Sequence, residues 1–133
     1  MIDYPQVALD FMNRDHAEFI ALLEKLLDLL HKQAPDTEVD VTLNELVEHT
    51  RRHFSEEEQH MQEAKFPPFP VHKMEHDRVL EDMQNRIAQW KQGRDADALK
   101  SYLEKAVIGW FVQHVGMMDF VTARYIAGKN PES

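Results

Sequence analysis

Residues 53–80 read HFSEEEQHMQEAKFPPFPVHKMEHDRVL, two histidine- and glutamate-containing segments separated by a proline-rich run at 65–70. Proline interrupts a helix, and on both sides of the run apolar residues recur at steps of three and four. The pattern extends back to Val39 and Leu43 and onward to Met83 and Trp90. The stretch therefore predicts two amphipathic helices joined by a short turn, which makes them antiparallel neighbours.

The same periodicity continues outward to both ends of the 133-residue chain. Further breaks at 34–37 and 93–95 divide it into four such segments, and none shows the alternation typical of a strand. We predict an all-α fold, an antiparallel up-down-up-down four-helix bundle, as a single domain over residues 1–133. The helices are expected at about 5–33, 38–64, 71–92 and 96–127, before a polar tail, with Asp36 or Thr37 capping the second helix and Asp95 the fourth.

The composition excludes several classes of protein. The chain has no cysteine, so disulfides, thiolate metal ligands and iron–sulfur clusters are excluded. Its formal net charge of -9 disfavours binding to nucleic acid. No run of about 18 apolar residues occurs, and the N-terminal MIDYPQVALDF lacks the basic start of a secretory signal. We therefore expect no nucleic-acid partner, no membrane insertion and a cytoplasmic location.

The chain contains eight histidines in 133 residues, a high proportion that suggests a functional role for some of them. His53 and Glu57 are four residues apart, and so are His72 and His76. Four residues advance a helix by about 400°, so the members of each pair lie on one face, a turn apart. Imidazole and carboxylate groups at that spacing can bind one metal ion or two adjacent ions.

Histidines on all four segments fall at one height in the predicted bundle. Counted from the turns at one end, at about 1.5 Å per residue, four agree to within roughly one turn: His16, His53, His76 and His114. Asp119 follows His114 by five residues, which on a regular helix would point the two side chains about 140° apart. We therefore predict a π-bulge between Trp110 and Asp119, which would bring positions i and i+5 into line.

The pattern as a whole resembles the hemerythrin family, in its single-domain microbial form. It consists of a lone histidine on the first helix, H-x-x-x-E on the second, H-x-x-x-H on the third and H-x-x-x-x-D on the fourth. The stretch at 53–80 is similar to the family's HF-x-x-EE…M…(Y/F)P…H-x-x-x-HD. The resemblance covers about residues 8–125 and includes all seven expected metal ligands: His16, His53, Glu57, His72, His76, His114 and Asp119.

This resemblance implies a cofactor of two iron ions with an oxo or hydroxo bridge. It assigns the ligands as follows: one iron on His72, His76 and His114, the other on His16 and His53, and both on Glu57 and Asp119. It further implies reversible dioxygen binding at the iron with two histidines, for storage, delivery or sensing, and no enzymatic role. Apolar residues near this layer are expected to belong to the core and also to line a dry dioxygen pocket: Phe19, Ile20, Met61, Phe111, Val115 and Met118.

Alternatives remain open from the residues alone. On the same fold, a di-iron redox enzyme would act on peroxide or nitric oxide. A ferritin-like enzyme needs two Glu-x-x-His motifs, and this chain has one match, Glu57 to His60. Histidine and carboxylate also suit manganese, cobalt and zinc, so iron is assigned by the resemblance. No sequence feature marks a surface for a protein partner, and His31, His49 and His60 are interpreted as surface or supporting residues.

Overall fold

The computed structural model describes residues 2–129, and every regular element within them is helical. Four helices follow one another: α1 Asp10–His31, α2 Asp36–Glu63, α3 Phe69–Gly93 and α4 Ala96–Lys129. Two segments of α4 are π-helical, Tyr102–Val107 and Val115–Asp119. The predicted all-α, four-helix architecture is confirmed.

Side-chain contacts show that neighbouring helices run antiparallel. Glu58 near the end of α2 bonds His76 near the start of α3, whereas Asp40 near the start of α2 bonds Trp90 near the end of α3. The other adjacent pairs show the same reversal: Phe11–His60 and Glu18–His49 for α1 and α2, Glu75–Trp110 and Arg86–Tyr102 for α3 and α4, and His16–Asp119 and Phe19–Phe111 for α1 and α4. This reversal is the up-down-up-down order of a four-helix bundle.

The first helix begins later than its periodicity predicts. α1 begins at Asp10 rather than near residue 5, and residues 2–9 are not helical. The side chain of Asn13 holds them against the helix, because it accepts from the N–H of Val7 and donates to its C=O, each at 2.9 Å. Apolar spacing alone does not reveal such a local competitor for the backbone groups.

The caps and the chain end also test the prediction. Asp95 caps α4 as predicted, accepting from the N–H of Ala98 at 3.0 Å. For α2 the prediction was wrong, because the helix already begins at Asp36 and Pro35 holds the capping position. α4 continues through Lys129, past its predicted end at 127. Residue 1 and residues 130–133 of the predicted domain and tail lie outside the described residues.

Each of the three turns contains a non-glycine residue in the left-handed backbone region. Gln33 and Lys65, each the residue after a C-cap, have a φ of 56°, and Arg94, the C-cap of α3, has a φ of 51°. After α1 the N–H of Ala34 bonds the C=O of Leu29 at 2.9 Å, the hydrogen bond that characterises a Schellman turn. These short left-handed reversals keep consecutive helices in contact.

A large apolar core runs along the bundle, and a smaller cluster closes it near the α2–α3 turn. The helical spacing of apolar residues in the fourth segment predicts Val121 on the core face, but its side chain is 55% exposed, whereas Thr122 and Ala123 are buried. The π-helical segment just before Val121 adds a residue to one turn and rotates all later positions by about 100°. A regular helical period therefore assigns the wrong face beyond Asp119.

Among residues 2–129, α4 is the one helix whose length and composition would also allow it to cross a membrane. Of its most apolar stretch 39% is buried inside the fold, and the helix carries the buried His114 and Asp119. A helix that packs in a bundle can have the same length and composition as a membrane-spanning one. The sequence-based expectation of no membrane insertion stays a prediction.

Candidate metal centre

Seven titratable side chains meet in one buried layer that is built by all four helices. α1 supplies one histidine, α2 and α3 supply the two i, i+4 pairs, and α4 supplies the i, i+5 pair: His16, His53, Glu57, His72, His76, His114 and Asp119. None of them is more than 7% exposed. The height calculation from the sequence is therefore confirmed, and the seven predicted site residues are brought together.

Glu57 faces two groups of histidines with its two carboxylate oxygens. Its Oε1 lies 3.3 Å from His76 Nε2 and 3.9 Å from His72 Nε2. Its Oε2 lies 2.7 Å from His53 Nε2 and 4.0 Å from His16 Nε2. One oxygen is thus directed to the α3 histidines, and the other is directed to the histidines of α1 and α2.

Asp119 divides its oxygens in the same way. Its Oδ1 lies 3.3 Å from His72 Nε2 and 3.2 Å from His114 Nε2, and its Oδ2 lies 3.0 Å from His16 Nε2. The donor atoms therefore form two groups that share both carboxylates: His72, His76 and His114 on one side, and His16 and His53 on the other. Within each group all donor atoms lie within 4.8 Å of one another. This is the arrangement of two adjacent cation positions bridged by two carboxylates.

The predicted π-bulge is confirmed and explains how His114 and Asp119 reach the same layer. Residues Val115–Asp119 are π-helical, and they lie between two regular α-helical segments of α4. One extra residue in the turn places positions i and i+5 on one face. The second π-helical segment, Tyr102–Val107, lies outside the predicted interval and has no counterpart in the spacing of the site residues.

Three of the histidines are oriented by partners that sequence reasoning did not identify. When Nε2 faces a cation, Nδ1 carries the proton and donates it to a neighbour. His53 Nδ1 donates to Asp15 at 2.8 Å and His76 Nδ1 to Glu58 at 2.9 Å. His72 Nδ1 donates in the same way to Thr122 at 3.0 Å. Each partner lies one or three residues from a predicted ligand: Asp15 beside His16, Glu58 beside Glu57 and Thr122 after Asp119.

When the imidazole protons are on Nδ1, the atoms that face the centre of the layer can only accept, and they lack hydrogen-bond partners among the described residues. They include both oxygens of Glu57, Oδ1 of Asp119, and Nε2 of His72, His76 and His114. Leaving such groups buried and unpaired costs several kcal/mol in total, at about 1–3 kcal/mol each. Cations between them would satisfy these atoms together, so the donor set fits two metal ions.

The pKa values of side chains in the layer also indicate that positive charge is stabilised there. Burial by itself lowers the pKa of His53, but the charge of Glu57 and the hydrogen bond with Asp15 raise it to about 10. Burial also raises the pKa of Asp119, yet His114, His16 and His72 bring it well below its usual value. In the absence of metal the layer therefore favours a proton on His53 beside an ionised Asp119. A metal ion would replace this proton.

A cavity of about 20 Å³ lies beside the histidines of α1 and α2. Two of the predicted pocket residues, Phe19 and Phe111, line it, together with Phe54, Trp110 and Thr50. The other four, Ile20, Met61, Val115 and Met118, do not line it: Ile20 and Val115 are in the main core and Met61 is in the cluster at the α2–α3 turn. A volume above about 10–15 Å³ accommodates one molecule of the size of water.

The remaining histidines occupy three different settings. His31 is exposed at the last position of α1, where a cationic side chain suits the helix dipole. His60 stacks on Phe11 with ring centroids 4.5 Å apart. His49 is buried, donates to Glu18 at 3.1 Å and lines the cavity, so it is more than a surface residue.

Comparison with known proteins places these features in a family. The family described as Hemerythrin HHE cation binding domain matches residues 7–126. The bacteriohemerythrin of Aquifex aeolicus (strain VF5) is 31% identical over 87% of this chain and 88% of its own length. That of Ralstonia nicotianae (strain ATCC BAA-1114 / GMI1000) is 33% identical over 90% and 82%. The myohemerythrin of Sipunculus nudus is 30% identical over 77% and 85%. No solved structure matches at a significant level.

Proposed function

The chain belongs to the hemerythrin family, and from this premise we propose that it is a non-haem di-iron protein that binds dioxygen reversibly inside its bundle. One observation carries the proposal: five buried imidazoles divide into groups of three and two around two carboxylates that both groups share. A structural role for this layer would leave two buried carboxylates beside unpaired nitrogen atoms, which is costly.

The two proposed metal positions differ in their number of histidine ligands, and this difference suggests different roles for them. His72, His76 and His114 give the first position three nitrogen ligands, whereas His16 and His53 give the second position only two. Fewer protein ligands leave a coordination position for an exogenous ligand, which distinguishes a reactive metal site from a closed structural one. The cavity is lined by both histidines of this second position, His16 and His53, and by one histidine of the first position, His114. When bound, the two ferrous ions supply the electrons for reversible dioxygen binding.

The side chains around the cavity keep water away from the bound ligand. Phe19 and Phe111 stack with ring centroids 4.8 Å apart, and Tyr4 packs edge-on against Phe111 at 5.4 Å. The N-terminal segment thus reinforces the aromatic wall from outside. A dry wall limits the supply of protons that would otherwise convert a reversible carrier to its oxidised form.

Reversibility separates a dioxygen carrier or sensor from a redox enzyme. Protein loaded with ferrous iron under anaerobic conditions is expected to gain a visible absorption band when dioxygen is added and to lose it on purging with argon, at two irons per chain. A band that persists as an oxidised product, with turnover of peroxide or nitric oxide, would contradict this proposal and support the enzyme. As a matched pair, Glu57→Gln should abolish the band, whereas Glu63→Gln, at the exposed end of α2, should retain it.

The cavity wall can be tested separately from metal binding. Phe111→Gln introduces a polar group into the wall and should speed spontaneous oxidation of the oxygenated protein several-fold. Met118→Gln, at a position that does not line the cavity, should leave the oxidation rate near that of the original protein. Equal rates in both variants would show that this wall does not control oxidation. The spectral decay of the oxygenated form measures both rates.

A further inference from the structure

A second cluster of metal-ligating side chains lies beside the proposed di-iron layer. Glu18 and Asp15 on α1 and His49 on α2 offer donor atoms within 4.8 Å of one another. His49 Nε2 lies 3.1 Å from Glu18 Oε1. None of these residues is among the seven ligands of the di-iron layer. The cluster therefore provides one histidine and two carboxylates for a different ion.

The cluster is open to solvent on one side and buried on the other. The side chain of Glu18 is 49% exposed, whereas that of His49 is 7% exposed. His49 Nδ1 is buried and has no hydrogen-bond partner within residues 2–129. His49 Nε2 is the nitrogen that faces Glu18, so a cation from water can bind Nε2 and the Glu18 carboxylate together while Nδ1 holds the imidazole proton.

His49 also connects the cluster to the interior. It lines the same cavity as His16 and His53, and its ring lies nearly parallel to that of His53, with centroids 6.5 Å apart. Asp15, the innermost carboxylate of the cluster, hydrogen-bonds His53 directly. A continuous series of donor groups thus leads from the solvent-exposed Glu18 to the metal position with two histidines.

The charges favour a divalent cation that is bound weakly. Two carboxylates and a neutral imidazole match a hard or borderline dication. Arg14 lies 3.3 Å from Asp15 Oδ1, and His53 already occupies Asp15 Oδ2. Asp15 is therefore only a partial ligand, and the formal net charge of -9 brings cations towards the surface. An ion that binds weakly at the surface can move on to a site inside that binds it more strongly. This difference in affinity is what passage of an ion requires.

We propose that Glu18, His49 and Asp15 form a third cation site, through which ferrous iron passes to the di-iron layer. The site itself is independent of the proposed function, whereas the passage of iron through it rests on that function. No electron transfer is involved: the ion exchanges water for Glu18 and His49, and then these ligands for His53 and Glu57. The site would take Fe²⁺ and related dications such as Mn²⁺.

The cation site can be tested with the di-iron layer already filled. Iron-loaded, oxidised protein is titrated with Mn²⁺, and free Mn²⁺ is followed by electron paramagnetic resonance. One additional Mn²⁺ per chain is expected, and Glu18→Gln should weaken its binding by at least about ten-fold because a charged ligand is lost. Glu24→Gln, an exposed position on the same helix, removes the same charge and should not weaken it. No additional ion, or equal binding in the two variants, would overturn the site.

The passage of iron is tested by the rate of filling. Metal-free protein is mixed anaerobically with ferrous iron, and the irons retained per chain are measured against time after rapid removal of free metal. Glu18→Gln should fill several-fold more slowly than Glu24→Gln and reach the same two irons. Equal rates would overturn passage through the cluster. Failure of the unmodified chain to retain two irons would contradict the proposed di-iron function instead. The third site would then be decided by the same Mn²⁺ titration of the metal-free protein, in which Glu18→Gln but not Glu24→Gln should weaken the binding of one Mn²⁺.

Discussion

The two halves of the bundle bury different kinds of side chain. The apolar half, residues 23–30, 39–47, 83–90 and 99–107, buries leucine, valine, methionine and tryptophan, with Thr42 as its single buried polar residue among those described. The metal half, residues 11–19, 49–61, 69–79 and 111–126, contains the other buried polar residues of the described chain, among them the five imidazoles and two carboxylates of the candidate metal centre. The same four helices form both halves, so the halves are distinguished first by the side chains that they bury.

This contrast separates two sources of stability. Apolar burial contributes about 25 cal/mol per Å² to the free energy of folding. This contribution is the same with and without metal. The metal half instead contains donor atoms that are satisfied only by cations or protons. The apolar half should therefore fold the chain, whereas the metal half makes its final stability depend on metal.

The largest expected effect is that of metal removal. A ligand that binds only the folded state at about 1,000 times its dissociation constant stabilises it by about 4 kcal/mol. Chelation should therefore lower the free energy of unfolding by about 4 kcal/mol or more, measured by urea denaturation with and without iron. Glu57→Leu removes a carboxylate that both groups of donors share. In this variant the free energy of unfolding should differ little with and without iron. A difference below about 1 kcal/mol in the unmodified chain would contradict the metal dependence.

The next effect tests the apolar half. Leu26 is fully buried and lies ten residues along α1 from His16, about 15 Å away. Leu26→Ala should lower the free energy of unfolding by about 3 kcal/mol through lost burial and a residual cavity. The loss should be the same with and without iron, and two irons per chain should still bind. A change in iron content would show that the halves are coupled.

A smaller effect concerns the rim of the apolar half. Asp40 accepts from the Trp90 indole N–H and from Arg94, each at 2.8 Å. Asp40→Ala leaves the buried indole unpaired and should cost about 1–2 kcal/mol. The hydrogen bond from Arg94, followed by that from Trp90, outweighs burial and lowers the pKa of Asp40. Its charge-dependent contribution is therefore present above pH 3.8 and is lost as the pH falls through the lower, folded-state pKa.

Asp40→Asn separates the two parts of that effect. Asparagine can still accept from the indole N–H, so this variant should lose only the charge-dependent part. The stability difference from the unmodified chain, followed by denaturation at several pH values, should shrink as the pH falls below 3.8. A difference that grows in acid would mean that Asp40 does not act through its charge.

The smallest effect tests the turn between the first two helices, at the end of the apolar half. Gln33 is exposed and has a φ of 56°, a conformation that glycine adopts without steric cost. Gln33→Gly should therefore raise the free energy of unfolding by about 0.5 kcal/mol. Gln84→Gly, at an exposed position inside α3, should instead lower it by about 1 kcal/mol. Thermal denaturation of the two variants distinguishes the signs.

The residues of the metal half can be predicted well from the sequence, because the spacing of two ligands along a helix determines whether their side chains share a face. Pairs at i, i+4 and the i, i+5 pair on α4 fix both the layer and the π-bulge. The residues that orient the histidines were missed because Asp15, Glu58 and Thr122 have no distinctive spacing of their own. Their role depends on which neighbouring helix faces them, and this is a property of packing.

The cavity residues were harder to predict for a related reason. Apolar side chains near the layer, such as Val115 and Met61, have the same spacing as those that line the cavity, such as Phe19 and Phe111. Burial alone does not distinguish a cavity wall from solid core. The exposure of Val121 shows a further limit, since one inserted residue in a helical turn changes every face assignment after it.

The most direct test of the account is the position of bound iron. Crystals of the iron-loaded protein, measured at the iron absorption edge, should show two anomalous peaks per chain. One should lie among His72, His76 and His114 and the other beside His16 and His53, with Glu57 and Asp119 contacting both. A single peak, or peaks outside this layer, would contradict the assignment of two carboxylate-bridged metal positions.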